Sequence, residues 1–376
     1  MNVLIVTFLV AHSPSGVVTY YQTLAKDLKR KGVNVRVIES THTPFFWNKS
    51  LNLLKRIVNP LGIKSRIFYE ETSTFARLYL AVRKVRKENF SVIHAQDVRS
   101  GVAAYMALGK KVPIVLTCHF NDDPVTEYIS AHSLSQSFVG RIAEWYKWLF
   151  SYVKSYVFVS NYAYEKSKHL LPDDINKIIQ FNTVQVPELP DREPRADAGK
   201  LLISNVGYVD ERKNQELLIR AGQELRNKGI TNFAIWLIGD GPKRKEYEQL
   251  VQSLGLTEQV HFHGRQPAPW KLVAQTDLYI HTALNDNCPY SIIEAFAVKT
   301  PVLALPVGGV PELLPDERSQ LRSANATQVA EQIIDHLDAG VRKELADSQA
   351  VFASRNFNHE LALEKLIDFY RKATIH

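Results

Sequence analysis

The stretch Asp277–Gly309, DLYIHTALNDNCPYSIIEAFAVKTPVLALPVGG, reads as strand, loop, helix and strand in succession. DLYIHTA and PVLALPVGG are short apolar runs, and the segment between them is long enough for a crossover helix. Two strands joined in this way form a parallel βαβ unit. The alternation extends in both directions. LLISNVG, FAIWLIGDG and VHFHG precede it, and VLIVTFL, VNVRVIE, SVIHA, VPIVLT and SYVFVS are strands of the first half. Between the first two of these, Gly16 to Lys31 sets Val17, Tyr21, Leu24 and Leu28 on one helical face, with Gly32 at the expected stop. The composition changes at Val186 to Lys200, where VPELPDREPRADAGK is rich in proline and charge and reads as a linker. Two successive α/β sets predict two doubly wound Rossmann-like domains facing a central cleft. Ligands are then expected beyond the carboxyl ends of the strands.

Composition limits the function classes. The 376 residues are 45% apolar and 23% charged, a globular balance that suits two domains. No apolar run is long enough to cross a bilayer. The opening MNVLIVTFLV has no basic residue before its apolar run and is expected to be a buried strand, not a signal peptide. Two cysteines make no disulfide framework, and neither sits at zinc-ligand spacing, so a cytoplasmic chain without a metal site is expected. The formal net charge of +7 points to an anionic partner without naming it.

Several strand-end turns could hold a ligand. Ser13-Pro14-Ser15-Gly16 opens the first helix, where free N–H groups suit a diphosphate, although ordinary turn chemistry explains it equally. No GxGxxG fingerprint or Walker loop occurs. Gly239-Asp240-Gly241-Pro242 is explained by a tight strand-to-helix turn. His119 ends the strand VPIVLTCH and is either a cleft residue or a satisfied core histidine. Asp286 lies in the loop after DLYIHTA, and Glu294 is expected about two turns into the next helix. Two carboxylates near one helix start suit sugar hydroxyls; the plainer reading is an N-capping aspartate and an exposed glutamate. Cys118 and Cys288 fall in these same segments, so a thiol reagent is expected to inhibit and nucleotide to protect.

Phe45 to Arg66, FFWNKSLNLLKRIVNPLGIKSR, holds Lys49, Lys55, Arg56, Lys64 and Arg66 and no acidic residue. Interleaved Phe45, Phe46, Trp47, Leu51, Leu54 and Ile57 make it basic and amphipathic. It reads either as a helix packing its apolar face on the sheet or as a peripheral contact with the inner face of a membrane.

At Asn285–Gly309 the chain resembles the retaining glycosyltransferases of the GT-B fold, in particular glycosyltransferase family 4. Asp286, Glu294-Ala295-Phe296-Ala297, Thr300-Pro301-Val302, Val307-Gly308-Gly309 and Glu312 fall in register with that family's pattern of two glutamates separated by seven residues, a PV pair and a V-GG-x-x-E. Gly207-Tyr208 through Lys213, Leu237 to Pro242 and Val260 to Gly264 match further elements. So do Gly16, Val92-Ile93-His94 and Leu116 to His119 in the first half, with Asn182-Thr183 where Asn-Gly is usual. The resemblance implies an N-terminal domain over 1–185, with a C-terminal helix over 357–376 crossing back to it, and a nucleotide-sugar domain over 186–356. It implies transfer of a hexose-type sugar from a UDP-sugar, with a GDP-sugar second, to a glycan or lipid-linked acceptor. The nucleotide sugar is substrate rather than cofactor; no cofactor, metal or nucleic acid is implied. Carried over by position, Lys213 neutralises the leaving diphosphate, Asp286 holds sugar hydroxyls and Glu294 the ribose. The backbone of Asn287, Cys288, Pro289, Tyr290 and Ser291 cradles the sugar and distal phosphate. Arg265 lies near the base, Gly239 and Arg212 border the donor, Gly16 approaches the phosphates, and His119 sits near the reacting carbon.

This sequence departs from the pattern in three further places. Asp286 is one methylene shorter than the usual glutamate, Tyr208 replaces the arginine that partners the lysine, and Gly16-Val17 replaces a glycine pair. A phenol supplies no permanent cation, so diphosphate stabilisation rests on Lys213, helped by Arg212. A nucleotide-sugar-binding homologue acting as a partner subunit, and a nucleotide-sugar epimerase on the same fold, are the alternatives.

Overall fold

The computed structural model describes residues 1–13, 15–131, 134–185 and 199–375. Pro14 of the first turn and most of the linker, residues 186–198, therefore lie outside the described residues. The chain divides into two units, Met1–Gln180 with Glu360–His376, and Phe181–His359.

The first unit is built on six parallel strands: β1 (Asn2–Thr7), β2 (Asn34–Glu39), β3 (Val92–Ala95), β4 (Ile114–Cys118), β5 (Ser155–Phe158) and β6 (Asn176–Ile179). Their order is β2-β1-β3-β4-β5-β6. Strand β6 has no counterpart among the strands expected from sequence; NKII is a short edge strand without a buried residue, so no burial pattern marks it. The helices are α1 (Gly16–Arg30), α2 (Phe45–Val58), α3 (Ile63–Arg83), α4 (Val98–Ala107), α5 (Pro124–Ala131), α6 (Gln136–Phe150) and α7 (Asn161–Ser167). Side chains alternate across the sheet, as the pleat requires. Leu4 and Val6 face a core containing Leu78 of α3 and Leu149 of α6, whereas Val3 and Ile5 face Tyr21 and Leu28 of α1.

The second unit has five parallel strands, β7 (Leu201–Val206), β8 (Phe233–Ile238), β9 (Val260–Gly264), β10 (Leu278–His281) and β11 (Val302–Ala304), in the order β11-β10-β7-β8-β9. Helices α8 (Gln215–Asn227), α9 (Arg244–Ser253), α10 (Trp270–Val273), α11 (Tyr290–Ala297), α12 (Ala326–Asp335) and α13 (Ala339–Asn356) connect and cover them. Both sheets are thus doubly wound, and both are Rossmann-like.

The last helix, α14 (His359–Ala373), belongs to the first unit from Glu360 onward. Leu363, Leu366 and Tyr370 join the same core as Val3, Ile5 and Tyr21. Lys31 pairs with Glu360 at 3.0 Å and Glu364 at 3.3 Å, and Lys365 donates to the Ile179 carbonyl at 2.9 Å. Exposed pairs of this kind contribute at most about 1 kcal/mol each. Burial of the three large side chains, at about 1.5–3 kcal/mol apiece, is what holds the helix.

Helix α2 behaves differently from an ordinary surface helix. None of its residues is buried, so the reading in which Phe45–Arg66 packs its apolar face on the sheet is not what the fold adopts. Phe46 is 83% exposed, Leu53 60% and Ile57 61%.

Candidate functional site

In the second sheet the connections run from β7 outward through β8 and β9, then return to place β10 and β11 on the other side of β7. The turns leaving β7 and β10 therefore diverge at a topological switch point, where a crevice forms beyond the carboxyl ends of the strands. Lys213 lies on the first turn and Asp286 on the second.

The two turns are stitched together by bonds to backbone carbonyls. Leu284 N donates to the Arg212 carbonyl at 2.8 Å, and Arg212 Nη1 donates to the Asn285 carbonyl at 3.1 Å. The Thr282 hydroxyl donates to the Lys213 carbonyl at 2.9 Å. Lys213 is itself set by an aspartate turn, its N–H donating to Asp210 Oδ1 at 2.8 Å. These restraints bring Lys213 Nζ into a close ion pair with Asp286 Oδ2.

His281, at the end of β10, completes the arrangement. Its Nε2 lies 3.1 Å from Asp286 Oδ2, and its Nδ1 lies 3.2 Å from the Tyr279 hydroxyl. Burial holds the imidazole below its usual range, so it is neutral. An ionised carboxylate can only accept, so Nε2 carries the proton and Nδ1 accepts from Tyr279. Burial by itself would raise the Asp286 carboxyl, but Lys213 and the His281 N–H outweigh it and keep the group ionised, well below the usual carboxylate range. The other oxygen, Oδ1, accepts from Asn287 N at 3.1 Å. Three contacts occupy most of what a carboxylate can accept, leaving room for about one further donor. Asp286 is thus placed to orient Lys213.

Glu294 sits one turn into α11, not two, because the helix begins at Tyr290. Its carboxylate has no hydrogen bond or ion pair among the described residues. Burial disfavours the charged form and pushes the group up to about 7. A carboxyl raised in this way stabilises the fold while protonated, and that contribution is lost as pH rises through about 7. Glu294→Gln is therefore expected to raise the thermal midpoint of the nucleotide-free chain at pH above 7, the gain shrinking toward pH 4.5. Thermal unfolding across that range checks it; a pH-independent shift would refute the burial argument.

The loop from Asn287 to Ser291 is held from below. Asn182 Nδ2 donates to the Cys288 carbonyl at 2.7 Å, and Asn182 N to Cys288 Sγ at 3.2 Å. Pro289 caps α11 without a side-chain bond, Tyr290 begins it, and the Ser291 hydroxyl bonds Tyr279. Cys288 and Cys118 are both buried, and burial pushes the Cys288 thiol up to about 12 and the Cys118 thiol well above its usual range. Enclosed, protonated thiols react poorly, which removes the basis for the expected inhibition by a thiol reagent.

The remaining second-unit residues divide plainly. Gly239, at φ +147°, is a backbone crossing: a Cβ there would meet the Gly207 carbonyl oxygen at 1.8 Å, so its requirement for glycine is steric. Arg265 follows β9 and is exposed. Tyr208 is 44% exposed, and its hydroxyl has no hydrogen-bond partner among the described residues. The fold does not bring it into the Lys213 cluster.

In the first unit the switch point lies between β1 and β3. Ser15 caps α1, its hydroxyl accepting from Val17 N at 3.3 Å, so Gly16 is the first helical residue. Glu39, at the end of β2, pins this turn, accepting from Ala11 N at 3.0 Å and from the Tyr21 hydroxyl at 2.9 Å. His119 leaves β4 with Nε2 2.9 Å from Gln96 Oε1, and its ring meets Tyr20 edge-on at 4.7 Å. Burial pushes it down to about 3, so it is neutral. Behind it, His94 bonds Thr117 Oγ1 at 2.6 Å and the Tyr370 hydroxyl of α14. Sequence reading missed Gln96, Tyr279 and His281, and gave Asn182 a motif position but no role. The strand-end position of His281, which is what singled out His119, was the signal available.

Known proteins resemble this chain in sequence and in fold. Residues 14–178 match the family described as Glycosyltransferase Family 4, and residues 188–351 match Glycosyl transferases group 1. An uncharacterized glycosyltransferase of Methanocaldococcus jannaschii is 28% identical over 27% of this chain, and the match spans only 24% of that relative's length. The alpha-D-kanosaminyltransferase of Streptomyces kanamyceticus is 21% identical over 77% of this chain and 79% of its own. Among solved structures, Anabaena HepE in complex with UDP and glucose superposes with a TM-score of 0.72 at 17% identity, covering 99% of this chain and all of the other.

Proposed function

The chain belongs to the GT-B glycosyltransferases, and from that premise we propose that it transfers a hexose-type sugar, with retention of anomeric configuration, from a UDP-sugar to a glycan or lipid-linked acceptor. The observation that carries the proposal is the Tyr279–His281–Asp286–Lys213 chain at the switch point, beside an unpaired Glu294. The UDP held by HepE supports the choice of nucleotide.

In this reaction the bond from the anomeric carbon to the diphosphate oxygen breaks and charge develops on that oxygen. Lys213 uses one N–H on Asp286 and has two left for the phosphates. A cation fixed before charge appears needs no reorganisation at the moment of reaction. The acceptor oxygen bonds to the carbon on the same face, and its proton passes to the departing diphosphate. Glu294, an acceptor without a donor, takes the ribose hydroxyls; Asn287 to Ser291 cradle the sugar, with Arg212, Gly239 and Arg265 bordering the nucleotide. Gly16 and His119 keep the roles that the resemblance assigns them. The resident cation makes turnover independent of added metal.

Tyr208 favours a second reading. Its exposed phenol supplies none of the charge an arginine would, so a homologue that binds UDP-sugar without turnover is the competing outcome. Nucleoside diphosphate release from a panel of UDP- and GDP-sugars, with EDTA present, separates the two. Release from one UDP-sugar is expected. UDP binding without release from any donor and a suitable acceptor selects the second reading, and an isomerised sugar among the products selects an epimerase.

A further inference from the structure

Helix α2 is amphipathic in the wrong direction for a helix that serves the core. The face turned toward α3 is polar: Arg77 of α3 holds Asn48, and also Asn52 at 2.9 Å, while the Tyr69 hydroxyl donates to the Leu51 carbonyl. At about 100° per residue, Phe46, Leu53 and Ile57 fall within an arc of about 40° on the side away from these contacts. They form a ridge in solvent. Trp47 and Leu54, 54% and 45% exposed, flank it on one side, and Lys49 and Arg56, both exposed, flank it on the other. Leu61 and Phe68, which follow the helix in sequence, are each 67% exposed.

A large exposed apolar patch on a single helix marks a contact surface. The charge pattern identifies what it meets. From Phe45 to Arg66 there are five basic residues and no acidic one. Lys49, Lys55 and Arg56 have no ion-pair partner among the described residues, although ion pairs are frequent elsewhere on the surface. A protein partner is matched by mixed charge at its rim. An apolar ridge with aromatic residues at one end and unpaired cations beside it matches the boundary between acyl chains and anionic headgroups. None of the helices, among the described residues, is long and apolar enough to cross a membrane. We propose that α2 is an anionic-lipid docking surface: Phe46, Leu53 and Ile57 enter the interfacial layer, with Lys49 and Arg56 on headgroup phosphates.

Flotation of the full chain with vesicles tests this independently of sugar transfer. The chain is expected to rise with vesicles of phosphatidylglycerol and phosphatidylcholine in equal parts, and to stay down with phosphatidylcholine alone. The variant F46S/L53S/I57S is expected to lose partitioning by about a hundredfold. K49Q/R56Q should lose about tenfold and most of its dependence on anionic lipid. Because all five side chains point into solvent, thermal midpoints should stay unchanged, which separates lost docking from lost folding. A chain that ignores anionic vesicles, or a ridge variant that floats like the parent, overturns the proposal. Dimerisation of the parent abolished in the ridge variant, without flotation, would assign the surface to a second copy instead.

Discussion

Lys213→Ala is expected to lower nucleoside diphosphate release by at least about a hundredfold, the usual cost of deleting one group that stabilises transition-state charge. Two losses combine. The leaving diphosphate has no replacement cation at that place, since a phenol such as Tyr208 carries no positive charge and Arg212 is exposed and bonded to the Asn285 carbonyl. In addition, Asp286 is left buried with only His281 and Asn287 as partners of its side chain among the described residues. Breaking a buried pair from one side costs about 3–5 kcal/mol, and this one is slightly exposed, so the lower end applies. The single variant is therefore expected both to lose activity and to melt earlier. The double variant K213A/D286N removes the stranded charge, so its thermal midpoint should recover while its activity does not. Retained turnover in either variant would reject Lys213 as the cation of the reaction.

Gly308→Ala should be among the most damaging changes outside the Lys213 cluster. Gly308 has φ +57°, and a Cβ there would lie 2.0 Å from the carbonyl oxygen of Asp286. That carbonyl is clasped from the next residue, Gly309 N donating to it at 3.1 Å. The glycine pair after β11 thus presses directly on the loop that carries Asp286, and the new methyl group must push one of them aside. A loss of at least about 3 kcal/mol is expected, with a fall of about 6–12 °C in thermal midpoint, and UDP affinity should fall with it. Gly229→Ala is the control: φ is +80° there but no atom lies within 4 Å of the added carbon, so only the backbone term remains, about 1 kcal/mol. Equal effects at the two sites would show that the contact with Asp286 is unimportant.

Much of the architecture was legible because buried parallel strands leave continuous apolar runs, which carry an unambiguous signal. Asp277–Gly309 yielded its strand–helix–strand order for this reason. Strand β6 escaped because an exposed edge strand of four residues carries no such run. Within the site, Lys213, Asp286 and Glu294 were reachable through motif register. The pairing of Lys213 with Asp286 was not, since it depends on which strands the sheet makes neighbours: β10 lies beside β7 although two strands separate them in sequence. His281 was missed, and Asn182 left without a role, for the same reason. Their chemistry comes from partners distant in sequence or across a turn, and no local pattern marks them. Helix α2 shows the converse. Its amphipathicity was plain, but periodicity records only that an apolar face exists, not whether that face turns toward the core.

The return of α14 has a consequence for the order in which the molecule can be completed. One face of the first sheet is closed by α1 together with Leu363, Leu366 and Tyr370, and Tyr370 also bonds His94 on β3. During synthesis, the first half of the chain leaves the ribosome long before these residues exist. Val3, Ile5 and Tyr21 must wait with part of their surface uncovered while the entire second unit is made. The second unit, contiguous from Phe181 to His359, has no such dependence. The half that is translated first is thus the half that is finished last.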